Sequence, residues 1–129
     1  MNIIADTNIF LTVVLEESQK EKIIQLSSGC NAISPEILPY EIGNALSAMI
    51  KRKKLSKGEA LQVQKRIETI PVRLILVDIH EALKIAIDYN IYAYDAYFLQ
   101  CAKSLDCPLL TLDKSMKAVA KKIGISVLE

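Results

Sequence analysis

The chain opens with Asn2-Ile3-Ile4-Ala5-Asp6, a short apolar run that stops at a carboxylate. A bounded apolar run of this length predicts a buried strand. Strands joined by helical crossovers pair in parallel and are covered on both faces, so the sequence predicts a three-layer α/β/α domain with a mostly parallel central sheet. Four further strand-like runs, separated by helix-like sequence, cover residues 31–33, 72–77, 108–111 and 125–128.

Polar caps and glycines mark the ends of the predicted helices. Asn8 is expected to cap a helix through residue 15, and Ser18 to cap another that ends at Gly29. Ser34-Pro35 is typical of a cap followed by the first helical position, and it predicts a long helix to about Lys53. Further helices are predicted after the capping box at Ser56, after Asp78, over residues 93–105 and over residues 114–123.

Length and composition are those of one ordinary domain, expected to span residues 1–129. The residues are 51% hydrophobic and 24% charged, without a linker, repeat or low-complexity segment. No apolar run approaches the ~18–20 residues of a membrane span, and the first residues lack a signal-peptide pattern. Three cysteines without a C-x-x-C pair favour neither disulfides nor a thiolate metal site. These features predict a cytoplasmic protein.

Several common kinds of site are excluded by what the chain lacks. Its four glycines form neither a G-x-G-x-x-G motif nor a P-loop, which removes the usual nucleotide-binding signatures. His80 is the only histidine, so a histidine-rich zinc site or a Ser-His-Asp triad would depend on it alone. The candidates for chemistry are therefore carboxylates.

Four carboxylates are expected at one edge of the sheet. Asp6 follows the first strand and Asp113 follows the strand at 108–111, and ligands of parallel sheets bind at this carboxyl edge. Glu41 lies in the helix after the second strand, and Asp95 lies in the first turn of an apolar helix. Each of these acids is also compatible with a purely structural role, as a helix cap, a first-turn acid or a solvated side chain.

Taken together, the four acids favour a bound cation. Two carboxylates about 4 Å apart repel by about 4 kcal/mol at an effective dielectric constant of ~20, which a divalent ion would relieve. Because all the ligands would be oxygens, Mg²⁺ or Mn²⁺ is expected rather than zinc. The reaction class that follows is metal-dependent hydrolysis of phosphodiesters.

The same residues stand in four motifs that resemble those of PIN-domain nucleases. Within that family the chain looks like the VapC-type toxins of prokaryotic toxin–antitoxin pairs, and the resemblance covers the chain from Ile3 to Val127. The motifs are Ile3-Ile4-Ala5-Asp6-Thr7-Asn8, Pro39-Tyr40-Glu41-Ile42-Gly43-Asn44-Ala45-Leu46, Tyr94-Asp95-Ala96-Tyr97-Phe98-Leu99 and Leu110-Thr111-Leu112-Asp113.

This resemblance implies a Mg²⁺- or Mn²⁺-dependent ribonuclease with Asp6, Glu41, Asp95 and Asp113 as its catalytic acids. Asp6 and Asp95 would bind the metal most directly, and Glu41 and Asp113 would complete the site partly through water. The resemblance also implies a homodimer, and inhibition by a small antitoxin whose C-terminal segment covers the acidic groove. The supporting polar residues would be Thr7, Asn8, Asn44 and Thr111.

Basic and aromatic side chains are further candidates for RNA contact. Setting aside the four acids leaves 16 − 11, or +5, on the rest of the chain, so the formal charge of +1 is compatible with a nucleic-acid partner. Tyr94 and Phe98 are expected in the core, whereas core packing and base stacking remain open for Tyr92 and Tyr97. The candidates for phosphate binding are Lys51, Arg52, Lys53, Lys114 and Lys117.

Other functions fit parts of this pattern. A housekeeping RNA-processing nuclease would use the same four acids, and a PIN-fold binding module would lack catalysis. A receiver-type signalling domain needs a pair of acids after the first strand, where Asp6 stands alone. A haloacid-dehalogenase-like phosphatase needs an Asp at the position of Asn8. The leading hypothesis is a metal-dependent ribonuclease that acts as a toxin.

Overall fold

A computed structural model describes the whole chain, residues 1–129. Its strands are β1 (Asn2–Ala5), β2 (Asn31–Pro35), β3 (Arg73–Ile75) and β4 (Leu109–Leu110). Its helices are α1 (Thr7–Val14), α2 (Lys20–Ser27), α3 (Leu38–Lys51), α4 (Lys57–Glu68), α5 (Ile79–Tyr89), α6 (Ala93–Leu105) and α7 (Lys114–Lys122).

The four strands form one parallel sheet in the order β3-β2-β1-β4. β1 lies between β2 and β4, and its residues Ile3, Ile4 and Ala5 are all buried. A strand that is covered on both faces is uniformly apolar, which explains the run that opens the chain. The predicted last strand at 125–128 is reduced to a bridge between Val127 and Leu109, because β4 offers only two paired residues.

Helices enclose this sheet, as predicted. α6 packs on β1 and β2 and against α5 and α7, while α1 packs against α2, α3 and α4. The buried apolar side chains form one continuous core, which confirms the α/β/α fold class. None of the seven helices has both the length and the apolarity that a membrane span requires.

Several helix boundaries agree with the sequence. Ser56 and Glu59 form the predicted capping box of α4, and Asp78 caps α5 by accepting the Glu81 N–H at 3.1 Å. α6 has its predicted bounds. Gly29 lies beyond the end of α2 with a φ of +75°, a conformation that glycine adopts without a steric penalty. α2 itself begins at Lys20 without a side-chain cap, so the predicted cap at Ser18 is wrong.

The predicted cap of α1 is also wrong. The carboxylate of Asp6, not the side chain of Asn8, caps this helix, and it accepts the backbone N–H of Ile9 at 3.3 Å. The helix therefore starts directly where β1 ends, and Asn8 lies inside its first turn.

Ser34-Pro35 is the end of a strand rather than the start of a helix. Ser34 pairs with Leu74 and Pro35 with Ile75 of β3, and α3 begins only at Leu38. Pairing with neighbouring strands requires an extended backbone at these two residues. Pairing with the neighbouring strands therefore outweighs the local preference of Ser34-Pro35 for the start of a helix.

Candidate active site

A cavity of about 190 Å³ lies at the carboxyl edge of the sheet, where β1 runs into α1. Four separate segments supply its carboxylates: Asp6 follows β1, Glu41 lies on α3, Asp95 lies in the first turn of α6, and Asp113 caps α7. The structure thus brings together the four acids that the sequence singles out. The remaining lining residues are Thr7, Asn8, Asn44, Ala45, Phe98 and Met116.

Asp6 is the most buried of the four acids, with 5% of its surface exposed. Its Oδ1 accepts the N–H of Ile9, and its Oδ2 accepts a short hydrogen bond from the hydroxyl of Thr111. The same Thr111 hydroxyl accepts the backbone N–H of Asp113 at 3.0 Å. Thr111, 105 residues away in sequence, therefore joins the segments that carry two of the acids.

The other carboxylates are held differently. Glu41 Oε1 accepts a hydrogen bond of 2.9 Å from the hydroxyl of Thr7, which links α3 to the first residue of α1. Asp113 Oδ1 accepts the N–H of Met116 at 3.0 Å and so caps α7. Asp95 is partly buried in the first turn of α6 and has a raised pKa.

Burial raises the pKa of three of the four cavity carboxyl groups. Burial raises the pKa of Asp6 from an ordinary 3.8 to about 6; hydrogen bonds from Thr111 and Ile9 lower it, and the charges of Asp113 and Asp95 raise it further. Burial is also the main cause of the raised pKa values of Glu41 and Asp95, to which the charges of Asp95 and Asp113, respectively, add. No Lys, Arg or His lines the cavity, and none of the four carboxylates is in an ion pair.

The donor set of the cavity suits a hard divalent cation. Carboxylate, hydroxyl and amide oxygens surround the cavity, without imidazole or thiolate ligands. No three His, Cys, Asp or Glu side chains are arranged to hold one ion together. An ion here would therefore be bound directly by one or two carboxylates, with water in the other positions, which is the usual way in which proteins bind Mg²⁺.

Ser34 is a fully buried residue of this region that the sequence suggested only as a helix cap and not as part of a site. Asn31 N–H donates to the Met1 carbonyl, where β2 begins to pair with β1. Such hydrogen bonds recur every two residues along both parallel strands, so the regular donor to the Ala5 carbonyl would be the N–H of residue 35. Pro35 has no N–H, and the Ser34 hydroxyl donates to the Ala5 carbonyl instead, at 2.7 Å. On the other side, Asp6 N–H donates to Leu110 of β4.

Ser34 thereby fixes the peptide that leads into Asp6. A signal for this role was present in the sequence, since a proline inside an internal strand leaves a carbonyl that another donor must satisfy. The signal could not be used before Pro35 was known to lie in a strand.

The predicted basic residues lie outside the cavity. Lys51 is ten residues after Glu41 on α3, so it lies about 15 Å further along the helix. Arg52 and Lys53 follow it, and all three are exposed. Lys114 is exposed and directly follows Asp113. Lys117 is engaged with the carboxylate of Glu129 at 3.9 Å.

The aromatic residues around Asp95 divide between core and surface. Phe98 is buried, as predicted, and Tyr97 is partly buried. The prediction of a core position for Tyr94 is wrong, because its ring is exposed and meets Tyr97 edge to face at 5.9 Å. Its place in the first turn of α6, before the helix enters the core, explains this exposure.

A larger groove of about 740 Å³ borders the other side of α1. It is mainly apolar, and its walls include Phe10 and Val13 of α1, Ile23 and Ile24 of α2, and Val72 before β3. The groove has no cluster of acidic groups, so the chemistry points to the smaller cavity.

Comparison with known proteins agrees with this geometry. The model of the PIN domain family matches residues 3–122. No curated protein sequence matches the chain. The receiver-type alternative is wrong on this match and on strand order, which is β3-β2-β1-β4 here and 2-1-3-4-5 in flavodoxin-like domains.

Solved structures share the fold at low sequence identity. PAE2754 from Pyrobaculum aerophilum superposes with a TM-score of 0.74 at 19% identity, over 99% of this chain and 84% of that one. VapBC2 from Rickettsia felis, bound to a promoter DNA fragment, superposes with a TM-score of 0.68 at 16% identity, over 100% of this chain and 98% of that one. FitAcB from Neisseria gonorrhoeae superposes with a TM-score of 0.66 at 16% identity, over 98% of this chain and 96% of that one.

Proposed function

The chain belongs to the PIN-domain family, and we propose that it is a metal-dependent endoribonuclease that hydrolyses RNA phosphodiester bonds. The observation that carries the proposal is the convergence of four carboxylates, from four separate segments, on one cavity that no cationic side chain lines. Such a cavity is electrostatically unfavourable when empty and becomes favourable when a cation enters with an anionic substrate.

In this proposal Asp6 and Asp95 would hold Mg²⁺ or Mn²⁺ directly, and Glu41 and Asp113 would complete the site partly through water. When bound, such an ion supplies positive charge that polarises phosphoryl oxygens and lowers the pKa of water. The hydrogen bonds of the chain determine which oxygens are available. Asp6 accepts one hydrogen bond on each oxygen, from Ile9 and from Thr111, and each oxygen keeps a further lone pair for a ligand.

The other acids have complementary roles. Thr7 orients Glu41, which would take a proton from an attacking water; burial raises the pKa of this carboxyl. Asp95 has a raised pKa for the same physical reason and is available for a ligand or a proton. Asn8 and Asn44 add amide groups at the wall of the cavity for phosphate oxygens.

We further propose that the protein is the toxin of a VapBC-type pair and works in the cytoplasm. Structures described as toxin–antitoxin complexes include one from Klebsiella pneumoniae with a TM-score of 0.61 at 16% identity, over 86% of each chain. The apolar groove beside α1 offers a surface for the antitoxin, whose C-terminal segment would continue onto the acidic cavity. A homodimer would cover the apolar stripe Ile79, Leu83 and Ile87, which is exposed along α5 at four-residue spacing.

Cleavage by purified protein tests the nuclease proposal. RNA should be cut in the presence of Mg²⁺ or Mn²⁺, and cleavage should stop when a chelator is added. Asp6→Asn and Asp95→Asn should each abolish cleavage, whereas Asp78→Asn, which changes an exposed helix cap, should not. Cleavage that persists in both site variants, or in chelator, would overturn the proposal.

Expression in bacterial cells tests the toxin proposal separately. Growth should stop on expression of the wild-type chain and continue with Asp95→Asn. An active nuclease that leaves growth unaffected would instead be a housekeeping RNA-processing enzyme.

A further inference from the structure

The connection between α3 and α4 carries the densest positive charge of the chain. Five of the seven residues 51–57 are Lys or Arg, and residues 42–58 contain no acid. All five side chains are exposed, and none is in an ion pair. Like charges this close repel each other, so the arrangement costs stability unless an anion binds. These five cations form the basic turn: Lys51, Arg52, Lys53, Lys54 and Lys57.

Lys53 has a backbone conformation that lysine rarely adopts. Its φ is +59°, in the left-handed region, where the Cβ of an L-residue crowds the following carbonyl oxygen. Its N–H donates to the Ile50 carbonyl at 3.0 Å, and the N–H of Lys54 donates to the Met49 carbonyl at 2.9 Å. This pair of bonds is a Schellman motif, in which glycine is the usual residue at the position of Lys53. Leu55 packs on the core, so the cations are displayed from a fixed backbone.

The other left-handed residues of the chain each have a local reason for their type. Four of the five are Gly, Asn or Asp, which tolerate this conformation best: Gly29, Gly124, Asn90 and Asp106. The fifth is Glu16, whose carboxylate is paired with Lys20 at 3.0 Å. Lys53 alone combines the strained backbone of a long side chain with the absence of an ion pair.

The dipoles of the two helices explain only part of the basic turn. Lys51 lies in the last turn of α3, where a cation interacts favourably with the helix dipole. Lys57 is the first residue of α4, where the dipole disfavours positive charge. Glu59, the acid of that first turn, accepts the Ser56 N–H in the capping box. The charges at Lys53 and Lys57 therefore oppose local preferences, and such conflicts are typical of functional sites.

One side of α3 joins the basic turn to the acidic cavity. Arg52 comes eleven residues, or three turns, after Glu41, so both lie on the same side of the helix, about 16 Å apart along its axis. Between them on this side are Ala45 and Ala48, which are small and uncharged. An RNA strand with a phosphate in the cavity would continue over these alanines and reach the basic turn after about five nucleotides, at the ~3.4 Å spacing of stacked bases.

We propose that the basic turn is a second binding site for RNA, which takes the phosphates of the strand about five nucleotides from the scissile bond. This inference rests on the proposed nuclease function and deepens it, because it assigns a part of the substrate that binds outside the cavity. The bound phosphates supply the counter-charge that the turn lacks. Phosphate contacts carry no sequence information, so the site selects RNAs that extend past the cavity rather than a particular sequence.

Two glycine substitutions separate the conformational cost of Lys53 from its role in binding. Lys53→Gly should raise the melting temperature by about 2–5 °C by relieving the left-handed backbone, whereas Lys54→Gly, where φ is not positive, should lower it. Each removes one cation, so each should raise the Kd for a fluorescein-labelled RNA by up to about fivefold. Binding is measured in an Asp6→Asn background with chelator, so that the strand stays intact. Higher stability of Lys53→Gly without a loss of affinity would overturn the proposal.

A matched pair of triple variants tests the phosphate contacts. The first variant changes three cations of the basic turn: Arg52→Gln, Lys54→Gln and Lys57→Gln. The second removes the same charge from three exposed lysines on separate helices: Lys22→Gln, Lys103→Gln and Lys122→Gln. For an RNA of about 20 nucleotides, the slope of log Kd against log salt should fall by about 2 in the first variant, and Kd should rise about 3-fold to 140-fold. The second variant should change both quantities little.

Cleavage in the otherwise wild-type protein provides a further readout. Wild type should have a lower KM for an RNA of about 20 nucleotides than for one of about 4, and the first triple variant should lose this difference at nearly unchanged kcat. Equal KM values for both lengths in wild type, or equal changes in the two triple variants, would overturn the proposal. A glutamate-rich peptide that binds the basic turn more tightly than the long RNA would overturn it in favour of an acidic protein partner. A wild type that cuts no RNA would instead overturn the proposed function, and the salt slopes would still decide whether the basic turn binds RNA.

Discussion

Asp6→Asn should stabilise the metal-free protein, although it removes a residue proposed to be essential for activity. The pKa of Asp6 is about 6 in the folded chain and an ordinary 3.8 when the chain is unfolded. The folded state therefore binds the Asp6 proton more tightly, and ionising this carboxylate costs folding free energy. The difference, 6 − 3.8 or 2.2, corresponds to about 3 kcal/mol at pH values above 6.

The sign follows from proton linkage. Between about pH 4 and pH 6 the folded state holds more protons than the unfolded state, so the free energy of unfolding falls as pH rises through this range. Below pH 4 both states are protonated, and above pH 6 the full penalty applies. The free energies of unfolding of the wild type and of Asp6→Asn should therefore diverge between pH 4 and pH 6 and differ by a constant amount at higher pH.

The Asn side chain can replace much of the hydrogen bonding. Its Oδ1 can accept the N–H of Ile9, and its amide can donate to the Thr111 hydroxyl, whose own proton can turn to Met116 Sδ at 3.9 Å. Allowing about 1–2 kcal/mol for imperfect geometry, the expected net gain is about 1–2 kcal/mol. For a domain of this size the melting temperature should rise by about 3–8 °C.

Thermal and urea unfolding in chelator, from pH 4 to pH 8, measure this difference. Asp78→Asn is the matched control, because Asn and Asp cap an exposed helix end equally well. Saturating Mn²⁺ should make the wild type the more stable of the two proteins. At a hundred times its Kd the ion should stabilise the wild type by about 2.7 kcal/mol, and it should stabilise Asp6→Asn much less. An Asp6→Asn protein that is less stable than wild type at pH 8, or a gain that is equal at pH 4 and pH 8, would refute the reasoning.

Three further predictions concern residues around the site. Ser34→Ala should cost about 1–3 kcal/mol of unfolding free energy by leaving the buried Ala5 carbonyl without a donor, and it should lower kcat at unchanged KM. Ser34→Thr should restore both stability and kcat. Ser56→Ala, which removes a helix cap, should reduce stability and leave kcat unchanged. Thr7→Val should lower kcat by releasing Glu41, with Thr7→Ser as the rescue, and an unchanged kcat would exclude the orienting role. Leu83→Lys should convert the proposed dimer to a folded monomer in light scattering, and a mass equal to that of the wild type would exclude the α5 stripe as the interface.

Much of the fold could be predicted because its signals are local. A strand buried on both faces must be apolar throughout, so β1 was visible as the run before Asp6. Parallel strands joined by helices place their carboxyl ends at one edge, so the meeting of Asp6 and Asp113 followed from topology. The grouping of Glu41 and Asp95 with them could be expected from the family motifs before any distance was known.

The interactions that hold the site could not be predicted because their partners are distant in sequence. Thr111 donates to Asp6 across 105 residues, and Thr7 donates to Glu41 across 34. No periodicity or spacing encodes such pairs. Tyr94 was misplaced for a related reason: an aromatic beside a helix is usually buried, but a residue in the first turn can precede the point where the helix enters the core.

The structural roles of these acids and their proposed catalytic roles are not alternatives. Asp6 and Asp113 cap α1 and α7, and Asp95 lies in the first turn of α6, so three helix N-termini surround the cavity. Each N-terminus favours a nearby negative charge by about 0.3–1 kcal/mol, or roughly 1–3 kcal/mol for all three. The ionisation penalty at Asp6 alone is about 3 kcal/mol with its capping hydrogen bond in place, and the pKa values of Glu41 and Asp95 are raised as well. The helix ends therefore offset part of the cost of ionising the cluster without neutralising it, and the charge that remains would favour the proposed binding of a cation.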